Sequence, residues 1–246
     1  MRKKSVAILV FSTRNTTKHL DWVERGFVGE GRIVEEDENL SQIQYLGGVE
    51  LCRIRLVRCN LENSHIGSSD FIEGEIIECN WNNSDLDGVY FDRAIVKNCD
   101  FVNTEFKLCQ FTKAQIEGGN WSNTNFVRPY FTGAKINKVN FQNSSVTRAL
   151  LHKTKIDNCN FQKTNMSSGS AFFAVWENCD LRGVNFENFQ FKSTVLKNCG
   201  FHGSYGIPKC LDSIKIIDPD LSENFDGSNI VDQQTIIEEW QKQVKK

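Results

Sequence analysis

From Leu51 to Phe201 every fifth residue is apolar, 31 positions in succession without one polar side chain. A period of five fits neither a helix, at 3.6, nor a strand, at two. The chain must therefore repeat a short structural unit many times. The residue two places before each centre is small, as at Cys59, Ser64, Ser69, Gly74, Cys79, Ser84 and Ala94; only Ile54, Pro129 and Phe189 break that rule. The units become more alike when read every twenty residues. One series, Leu61, Trp81, Phe101, Trp121, Phe141, Phe161, Leu181 and Phe201, is mostly aromatic. A second, Ile76, Val96, Ile116, Ile136, Ile156, Trp176 and Leu196, is mostly aliphatic, and a third, Phe71, Phe91, Phe111, Phe131, Leu151, Ala171 and Phe191, is rich in Phe. Four units per coil and one series per face is the reading, with like residues stacked at about 4.8 Å, so that eight coils make a rod of about 40 Å.

The unit, a small residue, then often Asn or Asp, then Leu or Phe and two mostly polar residues, appears as Cys99-Asp100-Phe101-Val102-Asn103 and Ala134-Lys135-Ile136-Asn137-Lys138. It resembles the pentapeptide-repeat family over roughly residues 46–205. That resemblance implies an all-β fold, a right-handed quadrilateral β-helix of about eight coils, with the centre and the small residue both pointing inward. Residues 1–45 are expected to form an N-terminal capping segment and residues 206–246 a C-terminal cap with a terminal helix. Caps are needed because a bare end coil exposes strand edges and open core.

Within the first segment, Ser5–Phe11 reads as a strand. Thr17–Arg25 reads as a short helix with Thr16 or Thr17 as cap, Leu20 and Val23 inward and Gly26 past its end, and Arg32–Val34 as a second strand. Pro129, at an inward position, is expected to distort its coil because it lacks a ladder donor. Gly169 one coil below Phe189, and Ala171 below Phe191, pair small with large in one packed core. Leu211, Ile216 and Leu221 are possible echoes of the repeat. Asp232 caps a tail helix whose one face carries Ile236, Ile237, Trp240 and Val244, either covering the last coil or pairing with a second copy in a homodimer.

Six of the nine cysteines, Cys59, Cys79, Cys99, Cys159, Cys179 and Cys199, fall on one twenty-residue series, and Cys109 takes the same inward slot on another face. They read as buried structural thiols, which favours a reducing, cytoplasmic setting. The start, Met1–Phe11, has too short an apolar core for a signal peptide, and no run is long enough to span a membrane. A net charge of −2 argues neither for direct nucleic-acid binding nor for a strongly acidic mimic.

No catalytic constellation, metal-ligand spacing or cofactor motif emerges, so the chain is expected to be no enzyme and to use no cofactor. The Asp residues before a centre, such as Asp70, Asp85, Asp100 and Asp180, share their slot with Asn and are expected to bond corner backbone. Two surface features stand out. Residues 60–117 carry 11 acidic and 4 basic side chains, whereas residues 118–205 carry 4 acidic and 10 basic ones. An apolar strip on the outside of the Phe-rich face, Tyr90, Tyr130, Leu150 and Phe172 with Phe173 at the corner, has the composition of a protein interface. The expected function is a non-enzymatic interaction or scaffold module on a rigid rod, with a protein partner and no membrane or direct nucleic-acid contact. The alternative comes from the resemblance: some members imitate duplex DNA, bind type II topoisomerases and protect cells from gyrase poisons.

Overall fold

The computed structural model describes residues 18, 19, 21, 22, 24–26, 32–41 and 45–242. Its backbone is a four-sided coil. Ten parallel strands stack along the aliphatic face, from Val34–Glu36 and Arg55–Val57 up to Val195–Lys197 and Lys215–Ile217. Six more, from Leu46–Gly47 to Ser145–Thr147, stack on the opposite face. The two remaining faces are held by single bridges such as Asn60↔Asn80 and Tyr130↔Leu150. From Leu46 onward every parallel pairing advances by twenty residues, as in Leu56↔Ile76 and Phe106↔Phe126. This is a right-handed quadrilateral β-helix of about nine turns, one more than the sequence period suggests.

Two inward side chains per unit build the core. The centres stack on their own kind: Phe91 and Phe111 lie 4.9 Å apart at 8°, and Phe106 and Phe126 lie 4.3 Å apart at 5°. The small slot has a second duty beyond size. The Ser64 N–H points inward and donates to Ser84 Oγ at 3.2 Å, and that hydroxyl donates to the Leu61 carbonyl at 3.0 Å. In the cysteine ladder, Cys79 N–H donates to Cys99 Sγ at 3.4 Å while Cys99 Sγ donates to the Ile76 carbonyl at 3.3 Å. Ser, Thr and Cys at this slot therefore satisfy backbone groups that burial would otherwise leave unpaired.

This explains why Pro129 causes no distortion, contrary to expectation. The N–H at the small slot is not a ladder donor, so proline removes nothing from the ladder. Tyr130 N–H still reaches the Cys109 carbonyl at 3.2 Å, and Leu150 N–H reaches the Pro129 carbonyl at 3.0 Å.

Corners are made by a residue in the left-handed region. Every residue two places after a centre, from Arg53 to Gly203, has positive φ. Asn and Gly take many of these positions because they adopt that region most readily. The Asn or Asp before a centre locks the same corner: Asn140 Oδ1 accepts from Gln142 N–H at 3.1 Å, and Asp70 Oδ1 from Ile72 N–H at 2.8 Å. Asp180 does likewise with Arg182 N–H. Asp85 instead lies 3.1 Å from His65 Nδ1 and pairs with Lys107.

Strand pairing runs past both expected boundaries of the repeat. The first strand is Val34–Glu36, two residues later than the expected Arg32–Val34, and it pairs with Arg55–Val57 at an offset of 21, Glu35 opposite Leu56. One extra residue between Leu40 and Leu46 shifts the register, so counting back by fives lands on the wrong positions. Ile33 and Leu40 are nevertheless buried in the core. At the other end Ile216 centres a tenth strand, and Asp220 bridges Gly200, so coiling continues well beyond residue 205.

The helical residues 18, 19, 21, 22 and 24 bury His19 and Trp22, and His19 Nδ1 accepts the Ile33 N–H at 3.1 Å. Gly26, at φ 70°, sits where the expected helix stop places it. Ser5–Phe11, Thr16, Thr17, Leu20 and Val23 lie outside the described residues. At the far end, Gln233–Lys242 forms the terminal helix, here α1. Ile236 and Trp240 are buried; Trp240 stacks 6.0 Å from Phe191 at 4° and donates Nε1–H to Ser204 Oγ at 3.0 Å. Ile237 is half-buried and Val244 is outside the described residues. α1 thus covers the core of the last coils with the face expected for a cap.

Candidate interaction surface

Regular backbone leaves only four outward columns on each face to carry specificity. On the Phe-rich face the first inner column reads Glu50, Asp70, Tyr90, Gln110, Tyr130, Leu150, Ser170 and Gln190, bridged one to the next. The second inner column includes Asp92, Thr112, Thr132, His152 and Phe172. Two corner columns flank them: Gly88, Leu108, Arg128 and Arg148 on one side, and Arg93, Lys113, Gly133, Lys153 and Phe173 on the other.

The structure places all five expected strip residues on this one face, though not side by side throughout. Tyr130 and Leu150 are direct ladder neighbours, whereas Gln110 separates Tyr90 from Tyr130. Leu150 and Phe172 are half-buried, Tyr130 is 40% exposed and Phe173 is 57% exposed. Phe172 stacks on His152, ring centroids 4.4 Å apart at 5°, and His152 Nε2 lies 2.7 Å from Ser170 Oγ. Burial between those neighbours pushes the His152 imidazole below its usual range, and the adjacent Lys153 adds to this.

Sequence reading missed Leu108, which is 52% exposed on the corner beside Gln110 and fills the gap between Tyr90 and Tyr130. Both Leu108, at φ 56°, and Phe173, at φ 58°, are bulky residues held in left-handed backbone. Such residues are outliers there. The signal was available: most corner positions are Asn, Gly, Lys, Arg, Ser or Glu, and these two are not.

The charge asymmetry of the sequence becomes an asymmetry of pairing. In the first coils the cations sit on carboxylates: Arg53 and Arg93 on Glu73, Arg55 on Glu75, Arg58 on Asp37, Lys107 on Asp85 and Glu105. Arg58 holds the Asp37 carboxyl below its usual range by a hydrogen bond.

Among the described residues, no group of three or more His, Cys, Asp or Glu is placed to hold a metal ion. All nine thiols are free, and burial pushes Cys109 and Cys159 up to about 12, which leaves neither of those two as a thiolate at neutral pH. The depression lined by Lys97, Gln115, Glu117 and Lys135 is open and shallow, with its polar groups side by side rather than convergent. No helix among the described residues is long and apolar enough to cross a membrane.

Fold and surface together define a β-solenoid scaffold whose variable information lies entirely in its outward columns. Residues 74–151 match the family model described as a pentapeptide repeat region. Among solved structures, a trypsin-treated QnrB1 variant aligns at 17% identity and a TM-score of 0.62, covering 74% of this chain and 92% of that one. Full-length QnrB1 aligns at 15% identity and a TM-score of 0.50, covering 84% and 98%. QnrB1 is a plasmid-mediated fluoroquinolone resistance protein; at these identities the likeness is one of fold. No curated protein matches the sequence.

Proposed function

We propose that this chain is a non-enzymatic docking rod whose Phe-rich face binds a protein partner. The observation that carries this reading is the exposed apolar strip from Tyr90 through Leu108, Tyr130 and Leu150 to Phe172 and Phe173. Two of its members hold backbone conformations that disfavour bulky side chains, a cost that the coil itself does not require. Contiguous apolar groups with polar surroundings are what protein interfaces bury.

The test is a double variant, Tyr130→Glu with Phe172→Glu, used as bait beside the parent in capture from host lysate. The expected result is loss of a stoichiometric partner with circular dichroism and melting temperature within a few degrees of the parent. Capture that is unchanged overturns the reading. Duplex mimicry is the second reading, favoured by outward carboxylates in the early coils that have no ion pair among the described residues, Glu62, Glu78, Asp87 and Asp100. It is the weaker of the two, because DNA carries one charge per roughly 1.7 Å of axis along its whole length and the later coils are net basic. Topoisomerase subunits in the captured material would reverse that ranking.

A further inference from the structure

Resting on the docking reading, we propose that the partner presents an acidic amphipathic helix to this strip. Six cations frame its central part: Arg128 and Arg148 on one corner, Lys113 and Lys153 on the other, and Lys135 and Lys155 just around that second corner. Among the described residues none of the six has a carboxylate within ion-pair distance, although every arginine of residues 53–93 and Lys97 and Lys107 has one.

Four of these cations are also stacked in pairs. Lys135 and Lys155 are in direct register, and Arg128 and Arg148 occupy successive corners. Like charges placed opposite each other in a sheet destabilise it, and nothing in the coil demands them, because the same columns elsewhere hold Gly88, Gln115 or Gly133. A negatively charged occupant relieves that repulsion.

Between the corner columns Tyr130, Leu150 and Phe172 alternate with the neutral Thr132, His152 and Ser170, and cations run along both edges. An amphipathic helix about 10 Å across, with an apolar seam bordered by Glu or Asp on both sides, is its complement. Nucleic acid fits less well. The net-acidic coils of residues 60–117 on the same rod repel a polyphosphate at a distance.

The experiment uses the full chain and three fluorescein-labelled probes in anisotropy titrations. One is a synthetic helix of about five turns with a Leu seam flanked by Glu, the second is the same helix with Lys for Glu, and the third is a single-stranded oligonucleotide. The acidic helix is expected to bind at least tenfold more tightly than either control. Arg128→Glu with Arg148→Glu should weaken it about tenfold or more, as should half-molar salt. Melting curves of the charge variant confirm that it is folded. Equal binding of the Glu and Lys helices, tighter binding of the oligonucleotide, or no binding of the acidic helix overturns the inference. If the acidic helix fails while Tyr130→Glu with Phe172→Glu still abolishes partner capture, docking on this face stands and only the acidic partner falls. If both fail, the strip is no interface.

Discussion

At Gly119 the coil has no room for a single methyl group. Its φ is +93°, and a Cβ there would lie 2.1 Å from the backbone oxygen of Cys99. The neighbouring ladder step keeps the Phe101 N–H to Asn120 carbonyl bond at 2.8 Å, but Asn120 N–H donates to the Asp100 carboxylate at 2.9 Å instead of to a backbone carbonyl. Gly119→Ala is therefore expected to destabilise by about 2–4 kcal/mol, from backbone strain plus contact with unyielding main chain. Chemical denaturation measures it, and a midpoint equal to the parent's would contradict this account. The cysteine ladder makes a gentler prediction. Cys99→Ser keeps both an acceptor for Cys79 N–H and a donor for the Ile76 carbonyl, whereas Cys99→Ala keeps neither. The alanine variant should lose about 1–3 kcal/mol more than the serine variant. In the native protein a thiol reagent should leave the seven buried cysteines untouched and reach at most the half-buried Cys52 and Cys210.

At the scale of elements, α1 closes the end of the rod in two ways. Trp240 and Ile236 cover the core, and the Gln233 side chain accepts the Ile216 N–H at 2.8 Å, satisfying an edge donor of the last strand. Asp232 caps the helix by accepting from Thr235 N–H at 2.8 Å. Trp240→Ala should cost about 3–5 kcal/mol. Because coils contact only their neighbours, the loss should show first as hydrogen exchange in residues 196–220, while residues 80–140 stay protected. Uniform loss of protection would contradict that.

The loop that leads into α1 turns on Asp220. Burial raises its pKa, but hydrogen bonds from Ser222 N–H, the Ser222 hydroxyl and Gly227 N–H outweigh this and hold it below the usual carboxylate range. A depressed folded-state pKa contributes stability above the unfolded value of about 3.9 and loses it as pH falls through the folded value. Exchange in residues 220–231 should therefore accelerate below about pH 4, and Asp220→Asn should remove most of that dependence.

Over the whole molecule the two halves differ in how their charges are arranged, and salt should act on them with opposite sign. Screening weakens the paired arginines of residues 53–93 and relieves the stacked cations of residues 113–155. Raising salt from about 0.02 M to about 0.5 M should lower amide protection in the early coils and raise it in the middle ones, by a few tenths of a kcal/mol in each case. A shift of the same sign throughout would show that the pairing asymmetry is energetically idle.

The fold was legible because each coil solves the same problem with the same residues. An apolar centre every five positions and a small residue two before it specify four corners and a filled axis, so no long-range information is needed to fold Leu51–Phe201. The repeat faded at Leu40–Leu46 and after Tyr205 for a local reason, one inserted residue at the first and irregular turns at the second, and tertiary pairing carried the coil through both. The strip on the Phe-rich face was also readable, since outward columns follow from the count alone; Leu108 stands in a corner slot that polar residues or glycine otherwise fill, and that departure is its signal. Other matters were decided only in three dimensions. Whether a cation finds a carboxylate depends on a neighbour twenty residues away on the next coil. Whether proline breaks a ladder depends on which way one N–H points, and whether the terminal helix is a cap depends on which rings its Trp240 meets. Period and residue size determine the coil by themselves, because its contacts repeat at a fixed spacing; pairing, exposure and closure belong to the tertiary structure, because they depend on contacts between coils.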